Sequence, residues 1–92
     1  TTTDSTLRIL QLIDSLDAGG AETMAVNFAN GLADTVSFSG LIATRSEGPL
    51  RTTLSKEVEF KFLNKKSAFD LKAIRQLYSY CKLHRINVIH AH

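Results

Sequence analysis

Short apolar runs of strand type recur four times along this chain, each separated from the next by a stretch of helical or turn character. The runs fall at residues 7–13, 36–44, 58–62 and from 88 onward. Helical spacing marks the stretches after the first and third, and a Gly-Pro turn opens the second. An order β-α-β-α-β-α-β calls for parallel strands, because each crossover returns the chain to the same end of the sheet and is right-handed. The first run is the most uniformly apolar and belongs at the centre, while the third alternates Val58, Phe60 and Phe62 with Glu59 and Lys61, as an edge strand does. The expectation is an α/β fold with strand order 3-2-1-4 and helices on both faces.

Local signals fill in this frame. After the first run, Ala21, Met24, Ala25, Phe28, Ala29 and Leu32 recur at helical spacing and predict a helix from Ala21, weakened near its end by Gly31. Gly40 inside the second run marks a bulge or a close backbone approach. Pro49, after Gly48, suits the first turn of a helix whose apolar face is Leu50 and Leu54. Asp70 can cap a second long helix with apolar positions Leu71, Ile74, Leu77, Tyr78 and Cys81, and Lys82, His84 and Arg85 complement its dipole. Asn87 ends it.

At 92 residues the chain has room for one core. Its 43% hydrophobic and 22% charged residues exclude intrinsic disorder. Residues 1–50 carry 2 basic and 6 acidic side chains, whereas residues 51–92 carry 9 basic and 3 acidic. Such a basic half suits nucleic acid, an anionic membrane surface or a phosphorylated substrate, or is simply a solvated helix face, since its charges are scattered singly. Cys81 is the sole cysteine, so no internal disulfide forms and a reducing compartment fits. No run has the length of a membrane span, and TTTDST lacks the features of a signal peptide. The expected location is cytoplasmic.

Ligands of open α/β sheets bind beyond the carboxyl ends of the strands, and two segments end there. In the first, DSLDAGGAE, Gly19 and Gly20 either make a tight turn or bring the backbone close to a diphosphate at the helix N-terminus, and a positive φ is expected at one of them. The residues that follow fit neither G-x-G-x-x-G nor a P-loop. In the second, VIHAH, alternation puts His90 and His92 on one side of the sheet. With no third ligand at suitable spacing, a metal is not expected. An imidazole there either packs near the sheet or hydrogen-bonds a substrate hydroxyl or carbonyl. Asp14 and Asp17 suggest an acidic receiver site, but the third strand runs into Asn64 where such a site needs an Asp. His84 reads as helix surface.

Taken together, ILQLIDSLDAGGAETMAVNFANGLA, EGPLRTTL before VEFKFL, and INVIHAH resemble the N-terminal domain of family 4 glycosyltransferases, over residues 7–92. The resemblance implies a retaining enzyme of GT-B fold that moves a sugar from a nucleotide-sugar to a glycan or lipid acceptor, with no metal or other cofactor. It implies that residues 7–92 are part of a Rossmann-like domain on the acceptor side, with residues 1–6 disordered or tag-like. It also implies that Gly19 and Gly20 approach the donor diphosphate, that His92 contacts the transferred sugar as the catalytic histidine, and that His90 supports it. Thr23 and Asn87 depart from the pattern, standing where Arg and Asp are usual. Such enzymes hold the donor nucleotide mainly in a second domain carrying a Glu pair, so this piece alone is expected to be inactive and, with an uncovered fourth strand, to self-associate. Peripheral contact with the inner face of the plasma membrane fits the acceptor class; nucleic acid is not an expected partner. The competing expectation is a stand-alone flavodoxin-like module that binds a nucleotide or another protein.

Overall fold

The computed structural model describes residues 4–15, 19–66 and 70–92. It contains strand β1 (Asp4–Ser15), helix α1 (Gly20–Leu32), β2 (Val36–Ser46), a 3-10 turn (Pro49–Thr53), β3 (Glu59–Phe62), helix α2 (Leu71–Leu83) and β4 (Val88–Ala91). All strand pairs are parallel and the order is β3-β2-β1-β4, as the hydrophobic pattern predicts. β1 starts at Asp4, three residues before the apolar run from which it was inferred. Register pairs Leu12 with both Ile42 and Ala91, so the carboxyl ends of β1, β2 and β4 lie level.

Strand alternation separates two cores. On one face Ile13, Leu41 and Ala43 pack against Ala25, Val26 and Ala29 of α1, with Leu50 and Leu54 of the 3-10 turn closing the side. On the other, Leu10 and Ile42 pack against Ala73 and Tyr80 of α2. The expected layering is therefore present. Gly40 is a point of close approach rather than a bulge: a Cβ there would stand 2.8 Å from both a Phe38 ring carbon and the Tyr80 hydroxyl. The register irregularities of the β1–β2 pair lie elsewhere, between Asp4 and Arg8 and between Ile13 and Ser15.

Asp70 caps α2 as expected, accepting from Ala73 N at 3.1 Å and from Lys66 N at 2.9 Å. These two bonds, Lys66 first, hold its carboxyl below the usual carboxylate range. The far end closes with Ile86 N donating to Cys81 O and Arg85 N to Lys82 O around a left-handed Arg85 (φ 54°), the pairing of a Schellman motif. Asn87 does not end the helix, which stops at Leu83; its Oδ1 instead accepts from Arg8 N at 3.0 Å, tying the start of β4 to β1.

The buried stripe of α2 matches the expected one only in part. Leu77 and Cys81 pack against the core as expected, beside Ala73 and Tyr80, whereas Leu71, Ile74 and Tyr78 are exposed. The apolar arc of this helix is wider than the contact β1 and β2 can offer, and the surplus lies beside Ile89 of β4. His84 is likewise not plain helix surface. Its ring stacks on Phe38 (4.7 Å between centroids) and meets Tyr80 at 4.4 Å, while its carbonyl accepts from the Arg8 guanidinium.

Candidate functional site at the carboxyl ends of the strands

Both segments singled out by the sequence come to the same end of the sheet. Because α1 runs antiparallel to β1, its first residue Gly20 stands at the carboxyl end. Gly19 is the N-cap, with extended backbone (φ −121°, ψ 176°), and no described glycine has a positive φ. The expected left-handed glycine is thus a misreading: an N-cap sits in the β region, which any residue can adopt. Space, not dihedral freedom, distinguishes Gly20, since a Cβ there would meet nothing within 4 Å. Gly19 is different. Its Cβ position lies 2.5 Å from Oε1 of Glu22, whose carboxylate folds back over the start of the helix. Glu22 therefore covers part of the positive pole, and an incoming anion would have to displace that side chain.

β4 brings His90 and His92 to the α1 face, as alternation requires, with ring centroids 4.2 Å apart. Phe28 of α1 completes the group, 5.2 Å from His90 and 6.2 Å from His92. Phe28 was assigned to the core stripe of α1, yet it is 42% exposed, and Met24 one turn earlier is 54% exposed. Below the histidines lies Gln11, paired in register with His90 and only 1% exposed. Its Oε1 is 2.7 Å from Nε2 of His92. Desolvation, and secondarily the neighbouring His90, hold the His92 imidazole below the ordinary histidine range, so it is neutral at pH 7.

The histidines and the glycines are not in one cluster. Phe28 is eight residues beyond Gly20, about 12 Å along the helix from its start, and it is the Phe28 ring that the imidazoles meet.

On the opposite side of β1, a shallow cleft of about 240 Å³ is rimmed by Asp14, Thr44, Lys65 and His92 over a floor that includes Leu12 and Leu77. Asp14 is engaged by Thr44 Oγ1 (2.9 Å) and by the Arg45 guanidinium (3.2 Å), an exposed pair that neutralises it. Asp17 lies outside the described residues. Among the described residues no three His, Cys, Asp or Glu side chains gather closely enough to hold a metal ion. A roomier cleft of about 480 Å³ runs along the outer flank of α2, lined by Lys61, Lys72, Arg75 and Tyr80. Its three cations belong to the scattered basic set of the second half.

Cys81 is partly buried against the α2 core, and desolvation pushes its thiol up, away from reactivity. Among the described residues no helix is long and apolar enough to cross a membrane. Gln11 and Phe28 are the members of the site that sequence reasoning passed over. A lone amide within ILQLI was the available signal for the first. Compared with known proteins, the chain matches no family model, no curated protein and no solved structure.

Proposed function

We propose that this chain is the acceptor-side part of a retaining glycosyltransferase that uses a nucleotide-sugar donor and a glycan or lipid acceptor. The observation that carries the reading is the pair His90 and His92, side by side at the carboxyl end of β4, at the same end of a 3-2-1-4 sheet as the glycine-bounded start of α1. A neutral imidazole accepts a hydrogen bond from a sugar hydroxyl without introducing charge. The N-terminal amides of α1 suit the diphosphate once Glu22 turns outward.

In this reading His92 contacts the transferred sugar, His90 supports it, and Gly19 and Gly20 leave room for the phosphates. The bond from the anomeric carbon to the donor phosphate breaks, and a bond to the acceptor oxygen forms on the same face of the sugar. The donor nucleotide is held by a second domain that supplies a Glu pair. The protein works at the cytoplasmic side, against the inner face of the membrane where its acceptor is lipid-linked.

The test is to assay the whole gene product with a panel of nucleotide-sugars and lipid or glycan acceptors, and to determine the anomeric configuration of the product. Transfer with retention supports the reading. Tight nucleotide binding without transfer, in a protein with no second α/β domain, would favour a flavodoxin-like binding module.

A further inference from the structure

Gln11 occupies the position in β1 where an apolar residue would cost least. It is among the largest side chains in the molecule that are fully buried, in the company of Leu10, Leu41 and Ile42. An amide sealed in a sheet core is destabilising unless its polar atoms are bonded. Register explains the contact it makes: Gln11 lies opposite His90, and the side chain reaches the next residue on that face of β4, His92. The backbone holds the two in line, because His92 N also donates to Leu12 O at 3.0 Å.

We propose that Gln11 is a positioning residue for His92, its buried amide oxygen accepting the Nε2 proton and so fixing the imidazole as the Nε2–H tautomer with Nδ1 as its acceptor. An amide oxygen can only accept, so a neutral ring bonded to it through Nε2 must carry its proton there. Nδ1 then has a lone pair and no proton, which selects ligands that donate: a sugar hydroxyl fits, and a carboxylate or phosphate oxygen does not. Phe28 limits the ring on its α1 side, and His90 packs against it, so the tautomer comes with a fixed ring plane. The hydroxyl as ligand rests on the transferase reading above. The tautomer and its dependence on Gln11 do not.

Ring ¹⁵N NMR on the full chain separates the two, since it needs no substrate. In the unaltered protein near neutral pH, Nε2 of His92 is expected to be protonated and slow to exchange with water, and Nδ1 to be unprotonated. Gln11→Leu should abolish that exchange protection while leaving the backbone amide spectrum dispersed. Gln11→Glu should raise the His92 titration midpoint by about one unit or more, because a carboxylate opposite Nε2 favours the imidazolium. If Gln11→Leu fails to fold, Gln11→Glu alone decides. A proton found on Nδ1, or a His92 midpoint and exchange rate that both folded variants leave unchanged, overturns the proposal whatever the protein catalyses.

Discussion

Replacing Gly40 by alanine puts one methyl group where the structure has no room for it. The added carbon would stand 2.8 Å from a Phe38 ring carbon and 2.8 Å from the Tyr80 hydroxyl, closer than side chains tolerate. Tyr80 is buried on α2 and Gly40 lies in β2, so relief requires both the Phe38 ring and the Tyr80 phenol to shift. Overpacking of this kind costs about 2 kcal/mol. For a domain this size that lowers the melting temperature by roughly 8–16 °C. The Tyr80 hydroxyl also has no hydrogen-bond partner among the described residues, and burial pushes its ionisation far up, so it acts as an uncharged obstacle. Tyr80→Phe removes that obstacle along with an unsatisfied group, and should be neutral or stabilising by up to about 1 kcal/mol. Thermal unfolding of the four proteins in a double-mutant cycle measures the coupling. Gly40→Ala should lose less stability in the Tyr80→Phe background, with a coupling of about 1 kcal/mol. Strict additivity, or a Gly40→Ala chain as stable as the parent, would refute the packing described between β2 and α2.

Three other outcomes are expected. Gly20→Val, whose Cβ meets nothing within 4 Å in the fold, should leave the chain folded but lower donor use by the whole enzyme; an anion at a helix N-terminus is worth up to about 2 kcal/mol, or roughly 30-fold in kcat/KM, and unaltered kinetics would remove this turn from the site. Asp70 has a depressed carboxyl in the folded state, so its contribution is present above the unfolded carboxylate range and lost as pH falls through the folded value; Asp70→Asn, which keeps an acceptor at the cap, should flatten the acid limb of a stability–pH curve, and an unchanged limb would contradict the cap's role. The chain by itself should self-associate, since β4 offers an unpaired edge with Val88 and Ile89 exposed and Phe28 and Ile74 exposed on the two helices; sedimentation showing a monomer at every concentration would count against it.

The topology was readable in the sequence because two simple patterns carried it. A mostly apolar run in β1 and an alternating one in β3 differ in how many faces are buried, and that difference orders the sheet. Asp70 was readable too, since capping is local chemistry. The contact face of α2 was readable only in part, at Leu77 and Cys81. Ala73-Leu77-Tyr80 and Leu71-Ile74-Tyr78 are neighbouring stripes on one apolar arc, and periodicity cannot say which of them the sheet covers. The glycine prediction failed for a related reason: a turn into a helix needs an extended N-cap, a state that glycine permits without being required for it. In the site, alternation correctly put His90 and His92 on one side, but their partner Gln11 comes from the other end of the chain. Only the parallel register of β1 with β4 reveals that contact.

The central claim is that His92 meets the transferred sugar, and sugar transfer by the whole gene product and its His92→Ala variant tests it most directly. Loss of the imidazole leaves the buried Gln11 oxygen without this partner, at a cost of about 1–3 kcal/mol, so turnover is compared for protein shown by circular dichroism to be folded. The account expects kcat to fall by roughly 10²-fold, the scale of losing one well-aimed polar contact to a transition state. Equal turnover by the two proteins, with the same anomer formed, would contradict it.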